Sequence, residues 1–402
     1  MPSAMKLSAA MADLEPRAQS TVFEQSFHVR YSYPVHFTRG IFADDNPVID
    51  GVLIAPPSGE RARVLVVIDE GLLAHHPHLP EAIARKASRS VGWMLCRDPV
   101  VVPGGEAAKN DLRHIEELYR VMEQGELDRH SYVLALGGGA VLDAVGYAAA
   151  TCHRGIRLVR APSTVLGQND SGVGVKNGVN HLGLKNFLGT FAPPWAVLND
   201  ASFLPTLALR DSLAGMAEAI KVALIKDPKF FTWLLDNRAA LARCEAGAVE
   251  ELIERTAILH LRHISSSGDP FESGSSRPLD FGHWAAHKLE GLTHHALRHG
   301  EAVAIGIALD TLYSVDSGLL TADAGQKVIE LIRELGLPIY HPALNLSGAE
   351  GPLYLQGLEE FRQHLGGQLS VTLLSAIGEG VQVHAIDTAR MDSCRKQLEA
   401  MA

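Results

Sequence analysis

Three histidines and one glutamate have the spacing expected of a divalent-metal centre. His283 and His287 are four residues apart, so on a helix their side chains share one face. His299 follows after a short break, and Glu218 and Lys221 are three apart on another predicted helix. Two imidazoles and one carboxylate, with one coordination position left open, are a common catalytic set for zinc and similar ions. The alternative is that these histidines are exposed, or are hydrogen-bonded in the core without a metal.

A run of three glycines indicates a phosphate-binding turn. The sequence LALGGGAVLD (134–143) begins as an apolar strand, and the stretch 140–150 that follows the glycines predicts a helix. Glycine lets the backbone approach a ligand because no Cβ intervenes, and the first N–H groups of the helix would face the phosphate. The spacing differs from GxGxxG, and a glycine turn without a ligand is the alternative.

A third candidate segment, 161–190, is rich in glycine and asparagine. Its lysines and amides suit a polyhydroxylated anionic substrate, because lysines bind phosphate and amides bind hydroxyl groups. The alternative is an ordinary flexible loop, which has a similar composition. The candidate residues here are Asp170, Lys176, Asn180, Lys185 and Asn186.

The hydrophobic pattern divides the chain into two parts that must position these residues. Up to residue 200, short apolar strands alternate with helical stretches, which predicts an open parallel sheet. From Ala201 to about Leu335, helical periodicity dominates. We therefore predict an α/β fold: a Rossmann-like nucleotide-binding domain over 1–200, a mostly α-helical metal-binding domain over 201–402, and a site in the cleft between them.

The pattern also predicts individual elements. We predict strands at 64–68, 93–96, 100–102, 132–136 and 369–374, and a strand pair within 23–36. We predict helices at 105–123, 206–225, 248–263, 282–292 and 301–312. Residues 1–20 are expected to form a loose leader.

Composition and charge exclude several classes of protein. The formal net charge of −10 at pH 7 argues against a nucleic-acid-binding surface. Four scattered cysteines give neither a disulfide framework nor a cysteine-type zinc site. No apolar run reaches membrane-spanning length, and the N-terminus has no signal-type segment. We therefore expect a cytoplasmic protein that acts on a small molecule.

Together, these segments resemble the sugar phosphate cyclase superfamily, whose best-known member is 3-dehydroquinate synthase. The resemblance covers about residues 60–320, in the family's order and approximate spacing. GGGAVLD resembles the family's turn for the NAD pyrophosphate, PGGEAAK (103–109) its motif near the adenosine end, and PST (162–164) a strand end against the cofactor. The implied cofactor is NAD, and the cofactor-binding candidates are Asp69, Glu106, Lys109, Gly137, Gly138, Gly139, Asp143, Ser163 and Thr164.

The remaining motifs resemble the family's metal and substrate positions. GMAEAIK, GHxxxH and HGE imply Glu218, His283 and His299 as ligands of zinc or cobalt, with the catalytic His287 between them. DSGVGVK, KN and HRGI imply residues that hold the substrate. The arginine of HRGI, Arg154, is implied to reach the substrate phosphate from a neighbouring subunit of a homodimer. The catalytic and substrate-binding candidates are Arg154, Asp170, Lys176, Lys185, Asn186, Lys221, Asp280 and His287.

The sequence departs from the quinate branch of this family where that branch binds a substrate carboxylate. VKN (175–177) stands in place of GGKT, Asp280 in place of an asparagine, and Arg262 in place of a lysine. Arg277 lies one place from the expected arginine, and residues 361–367 replace a lysine-rich element. Cations bind a carboxylate through charge-assisted hydrogen bonds, so their loss and the added acid favour a substrate without a carboxylate.

The resemblance therefore implies a sedoheptulose 7-phosphate cyclase that forms a C7 cyclitol, 2-epi-valiolone or an epimer, and the retained His287 favours 2-epi-valiolone. It implies transient NAD-dependent oxidation, β-elimination of phosphate, re-reduction and intramolecular aldol closure, with the metal polarising the oxidised hydroxyl. The first alternative is a 3-dehydroquinate synthase. The others are a metal-dependent alcohol or glycerol dehydrogenase, which would release NADH, and a catalytically inactive relative that serves as a scaffold.

Overall fold

The computed structural model of the protein describes residues 22–266, 270–271, 278–349 and 351–402. The leader predicted for 1–20 and the displaced Arg277 lie outside these residues. The chain forms two compact units, Met1–Ser32 and Tyr33–Ala402. In the first, residues 22–32 are exposed and have no regular secondary structure. None of the helices described is long and apolar enough to cross a membrane.

The second unit is built on a parallel sheet. In chain order, its strands are β1 (Val35–Thr38), β2 (Ala62–Asp69), β3 (Trp93–Leu95), β4 (Val100–Val102), β5 (Tyr132–Gly137), β6 (Arg157–Pro162), β7 (Lys176–His181), β8 (Leu184–Phe191), β9 (Ala196–Asp200), β10 (Ser347–Gly348), β11 (Gly351–Pro352), β12 (Val371–Ala376) and β13 (Glu379–Val383). Strands β1, β9, β6, β5 and β2 lie side by side in that order, and the short β3 and β4 both pair with β2 at the sheet edge. All seven run parallel. The remaining strands form three antiparallel pairs, β7 with β8, β10 with β11 and β12 with β13.

Helices form the other layers of the unit. In chain order they are α1 (Val48–Val52), α2 (Glu70–His75), α3 (Leu79–Arg89), α4 (Ala107–Asn110), α5 (Leu112–Gln124), α6 (Gly139–Thr151), α7 (Leu209–Gly215), α8 (Ala217–Lys226), α9 (Pro228–Ala242), α10 (Ala246–Ser266), α11 (His283–Leu292), α12 (His299–Asp316), α13 (Ala322–Glu334), α14 (Gln356–His364) and α15 (Thr388–Met401). Short 3-10 segments occur at Cys152–Arg154, Ala201–Thr206, Pro278–Asp280, Pro342–Asn345 and Leu353–Leu355, and a π-helical turn at Gly167–Ser171.

Alternating residues of β2 explain why helices cover both faces of the sheet. Val64, Val66 and Ile68 are buried in one apolar cluster with α1 and α3, whereas Leu65 and Val67 are buried in another with α5 and α6. A strand buried on both faces is typical of the parallel sheets of α/β proteins. A third cluster surrounds α8, α11 and α12 in the second half of the chain. The predicted fold class is thereby confirmed, while the domain boundary at 200/201 stays a prediction.

Three predictions differ from the structure, and one of the alternatives is excluded. Within 23–36 no strand pair forms, and β1 is the first regular element from residue 22 onwards. The helix predicted at 105–123 is divided into α4 and α5, because Asp111 is extended and its carboxylate accepts a hydrogen bond from the Arg113 N–H. The helix predicted at 206–225 is divided into α7 and α8 at Met216. The segment 161–190 is not an ordinary flexible loop but the end of β6, the π-helical turn and the β7–β8 hairpin.

Candidate active site

The starts of three helices bring the predicted metal ligands together. Glu218 lies in the first turn of α8, and His283 and His299 are the first residues of α11 and α12. Close packing requires glycine beside each histidine: a Cβ on Gly282 would lie 2.7 Å from a backbone nitrogen of α12, and one on Gly300 would overlap a carbonyl oxygen of α7. The glycines of the FGH and HGE motifs therefore let the start of α11 pack against the middle of α12, and the start of α12 against the end of α7.

A buried carboxyl group on α12 is hydrogen-bonded to the start of α11. Asp310, on α12, accepts hydrogen bonds from the Gly282 N–H at 3.0 Å and from the Trp284 indole N–H at 2.9 Å. Burial raises the pKa of Asp310 to about 7, although both hydrogen bonds favour its charged form. Trp284 is 1% exposed. Asp310 therefore holds the turn that carries His283.

The geometry of the three ligands suits a divalent ion. One atom from each of Glu218, His283 and His299 lies within 4.8 Å of the other two. The Nε2 atoms of His283 and His299 are 3.6 and 3.4 Å from Glu218 Oε1. Their Nδ1 atoms face acceptors instead, the Phe281 carbonyl oxygen at 3.1 Å and Glu290 Oε2 at 3.3 Å respectively. Histidines that bind metals have this arrangement, in which one nitrogen faces the ion and an acceptor orients the other.

The charges of these ligands also suit a metal. Although burial opposes ionisation of Glu218, Lys221 and His299 hold its pKa at about 2, so it is a carboxylate. Burial and the nearby Lys221 lower the pKa of His283 well below 6.5, so its imidazole is neutral. Burial also disfavours the charged form of His299, but Glu290 and Glu218 outweigh it and raise its pKa to about 9. Metal ligands must be deprotonated, so an ion here would have to displace one proton, from His299.

Next to the ligands lies a buried cluster of charged groups. Lys221, 2% exposed, forms a close ion pair with Glu218. Burial lowers the pKa of Lys221, but Glu218, Asp170 and Asp280 together raise it above its usual value. Asp170 Oδ1 is 2.8 Å from His260 Nδ1, and although burial opposes ionisation, Lys221 keeps the pKa of Asp170 low. The cluster offers charged donors and acceptors to a hydroxylated ligand.

The two residues of the KN motif on β8 point to different parts of the protein. Lys185 Nζ is 2.8 Å from Glu290 Oε1 on α11. The Asn186 side-chain oxygen instead accepts a close hydrogen bond from Lys109, which is also 2.7 Å from Asp143 Oδ2. The hairpin is therefore attached both to the helix that carries His283 and to the helix that follows the glycine turn.

The predicted cofactor residues lie along the carboxyl edge of the parallel sheet, where α/β proteins bind nucleotides. Asp69 ends β2, the glycine turn ends β5, and Ser163 and Thr164 follow β6. Gly138 precedes α6 without a side-chain cap, and a Cβ there would meet only the Thr164 methyl group, at 3.4 Å. By contrast, a Cβ on Gly137 would lie 2.9 Å from Asp69 Cβ. The turn thus leaves the first N–H groups of α6 available to a pyrophosphate.

The PGGE motif and a buried arginine secure the hairpin and the loop before it. Glu106 Oε2 accepts a hydrogen bond of 2.9 Å from Asn180 on β7. Arg160, fully buried in β6, donates to the carbonyl oxygens of residues 171, 172, 174 and 176 and, at 2.7 Å, to Asn177 Oδ1. Asn177 of the VKN sequence is 5% exposed. Its side chain therefore serves packing of the loop that joins Asp170 to Lys176.

Besides Lys185 and Asn186 on the hairpin, three further predicted residues are exposed. His287 lies one turn after His283 on α11, and the two rings are 5.5 Å apart. Lys176 begins β7. Arg154 ends a 3-10 segment and has a positive φ of 62°. His287 thus borders the ligand cluster, whereas the predicted role of Arg154 in a neighbouring subunit stays a prediction.

Sequence reasoning missed three residues of the site: Glu290, His260 and Arg160. Glu290 is seven residues after His283, so helical periodicity already placed it on the ligand face of α11. His260 belongs to a histidine-rich region, but nothing in its spacing links it to Asp170. Arg160 is a single cation within an apolar strand and gave no signal of its contacts.

Comparison with known proteins gives matches along most of the chain. The model of the 3-dehydroquinate synthase N-terminal family matches residues 99–214, and that of the C-terminal family matches residues 215–351. The chain is 32% identical over 370 residues to a 2-epi-5-epi-valiolone synthase of Streptomyces glaucescens, covering 92% of this chain and 91% of the relative. It is 34% identical over 325 residues to a 3-dehydroquinate synthase of Halorhodospira halophila, covering 78% and 89% respectively.

A solved structure is similar over nearly the whole length. It is the 2-epi-5-epi-valiolone synthase of Streptomyces hygroscopicus subsp. jinggangensis with NAD+ and Zn2+ bound. The two chains are 30% identical and superpose with a TM-score of 0.83, which covers 94% of this chain and 100% of the other.

Proposed function

This chain belongs to the 3-dehydroquinate synthase family, and we propose that it cyclises sedoheptulose 7-phosphate, with loss of phosphate, to 2-epi-valiolone or one of its epimers. It is a sugar phosphate cyclase that requires NAD and a divalent metal, zinc or cobalt. Glu218, His283 and His299 fit the metal because they offer two imidazole nitrogens and one carboxylate oxygen within 4.8 Å. The uncapped glycine turn at the sheet edge fits the pyrophosphate of NAD.

The observation that carries the choice of substrate is the acid at position 280. Asp280 lies close enough to Lys221 to help raise the pKa of that lysine. A substrate carboxylate near this pair would be repelled by Asp280, whereas a neutral hydroxyl could donate a hydrogen bond to it. In the segment that replaces the family's lysine-rich element, Arg362 is occupied locally by Glu359 and by the Gly367 carbonyl oxygen. Both features favour a C7 ketose phosphate that has no carboxylate.

Held by Glu218, His283 and His299, a divalent ion would supply Lewis-acid polarisation of a substrate hydroxyl, and NAD at the glycine turn would supply reversible hydride transfer. The chain's own residues orient the substrate. Lys176 and Lys185 supply positive charge for the phosphate, with Asn186 beside them, and Arg154 is expected to reach the same phosphate from a second subunit of a homodimer.

We assign the sugar hydroxyl groups to the buried charged cluster that contains Asp170 and Lys221. Asp170 accepts their hydrogen bonds, and Lys221 donates to their oxygens through a charged group that water cannot reach. His287, exposed beside the ligand cluster, is placed to transfer a proton between substrate and solvent. Orientation and the exclusion of water then direct the open-chain intermediate towards ring closure.

Phosphate release tests this proposal. The purified protein, supplied with NAD and zinc or cobalt, is given sedoheptulose 7-phosphate or the acidic C7 ketose phosphate used by quinate synthases. We expect at least a tenfold higher rate with the neutral-headed sugar, a cyclitol by NMR, and no accumulation of NADH. Steady NADH formation would point instead to a dehydrogenase, and absence of turnover in the metal-loaded protein to a scaffold.

The second candidate function is 3-dehydroquinate synthase. It is favoured by the 34% identity over 325 residues to such an enzyme. The same assay separates the two functions, because selective turnover of the acidic substrate would contradict the role given to Asp280.

A further inference from the structure

The two histidines of the metal centre are held by different kinds of acceptor. His283 Nδ1 faces the neutral carbonyl oxygen of Phe281, whereas His299 Nδ1 faces the Glu290 carboxylate. In both rings Nε2 is the nitrogen that faces Glu218. The acceptor at Nδ1 selects the tautomer with the proton on Nδ1, which leaves the lone pair of Nε2 for the ion. For His299 that acceptor is a full negative charge.

Glu290 itself is held from the other side. Its side chain is 5% exposed, and Oε1 lies 2.8 Å from Lys185 Nζ while Oε2 faces His299. A carboxylate is buried at low cost only when cations or donors satisfy its oxygens. Lys185 and His299 do so for one oxygen each. A single carboxylate thus joins the β7–β8 hairpin to a metal ligand.

We propose that Glu290 is a positioning residue of the metal centre, which orients His299 for metal binding and links it through Lys185 to the substrate-binding hairpin. The proposal rests on the proposed function only in taking Glu218, His283 and His299 as metal ligands. Glu290 acts through His299 and does not touch the ion. Outer partners of this kind contribute about 10- to 100-fold to metal affinity.

Metal affinity without substrate or NAD tests the proposal. Zinc and cobalt are titrated into metal-free wild-type protein and Glu290→Gln against a chromophoric chelator. Glutamine keeps the shape of the side chain but removes its charge. At pH 10, above the pKa of about 9 that His299 has in the wild type, proton release does not differ between the two proteins, so we expect the dissociation constant to rise about 10- to 100-fold. The absorption spectrum of bound cobalt should also change, because the His299 ring is no longer fixed. Glu360→Gln is the matched control. Glu360 is an exposed residue of α14 that pairs with Lys288 on α11, the helix that carries Glu290.

Lys185→Met separates the two partners of Glu290. This variant retains the contact of Glu290 with His299, so we expect its metal affinity to stay within about threefold of the wild type. Should Glu290→Gln fail to fold, as judged by circular dichroism, the double variant Glu290→Gln/Lys185→Met removes both charges of the ion pair together, so that neither is left without its partner. It should show the same loss of affinity. Retention of wild-type affinity and cobalt spectrum in whichever Glu290 variant folds would overturn the proposal, as would an equal loss in Lys185→Met.

These outcomes are independent of the substrate. If wild-type protein binds metal and Glu290→Gln does not, but no C7 sugar phosphate is turned over, only the proposed function fails. If sedoheptulose 7-phosphate is cyclised and Glu290→Gln binds metal normally, only the role of Glu290 fails.

Discussion

Metal binding by this centre should become tighter as the pH rises, with a slope set by a single histidine. In the metal-free protein the pKa of His299 is raised to about 9: burial disfavours its charged form, but the Glu290 and Glu218 carboxylates outweigh it. Below that pH the ring carries a proton that the ion must displace. Glu218, with a pKa of about 2, and His283, with a pKa well below 6.5, have no proton to release near neutrality.

The magnitude follows from that one proton. Between pH 6.5 and pH 8.0 the association constant should rise tenfold per pH unit, about 30-fold in all, which corresponds to about 2 kcal/mol. The rise should end near pH 9, where His299 loses its proton without the metal. In Glu290→Gln the slope should fall, because the main group that raises the pKa of His299 has lost its charge.

Cobalt titrations at several pH values, with a chelator of known proton affinity, measure this slope. Calorimetry in two buffers of different ionisation enthalpy counts the released protons directly. An affinity that does not change over this range would refute the assignment of His299 as the protonated ligand. A slope near two would show that a second ligand is protonated as well, against the assignment of His283.

Three further predictions concern the cofactor turn, the anchor of α11 and the substrate. Gly138→Ala should weaken NAD binding about tenfold, measured by calorimetry, because the added Cβ would stand where the pyrophosphate approaches the backbone. The melting temperature should not change, because within the protein that Cβ would meet only the Thr164 methyl group, at 3.4 Å. Burial raises the pKa of Asp310 to about 7, so its contribution to stability is present below pH 4 and lost as the pH rises through 7. Relative to Asp310→Asn, metal-free wild-type protein should lose about 4 kcal/mol of unfolding free energy between pH 4 and pH 8 in urea titrations. Asp280→Asn should raise the kcat/KM for the acidic C7 ketose phosphate about tenfold; an unchanged ratio between the two substrates would exclude Asp280 as the discriminating group.

Only the local part of the candidate metal centre was predictable from periodicity, because the grouping of ligands from three different helices was implied by the family resemblance. His283 and His287 lie on one face of a helix, and Glu290, seven residues after His283, follows the same periodicity. Its position on that face could therefore also have been inferred from the sequence. The sheet was predictable for a similar reason, since each buried strand is a short apolar run. What periodicity cannot show is which helices meet. The contact of Asp170 with His260 joins residues 90 positions apart, and only the packing of α10 on the π-helical turn brings them together.

The hairpin shows how composition can hide structure. Its residues alternate little between apolar and polar, because both of its strands carry asparagine, glycine or lysine that contact other segments. Lys185 and Asn186 are adjacent in sequence, yet one contacts α11 and the other contacts α4. Asn186 also has a positive φ of 53°, a conformation that asparagine adopts more readily than most residues. Neither contact could be inferred from strand alternation.

Two departures from the quinate branch, Asn177 and Asp280, have different roles in the structure, although the sequence alone does not distinguish them. Asn177 accepts a hydrogen bond from buried Arg160 and lies against Gly146, where a Cβ would overlap its side-chain oxygen. Asn177 is therefore matched to its packing neighbours and has no direct route to a substrate. Asp280 instead acts on Lys221 within the charged cluster. A residue can select a substrate only through an interaction that differs between competing substrates, and of these two positions only Asp280 can provide one.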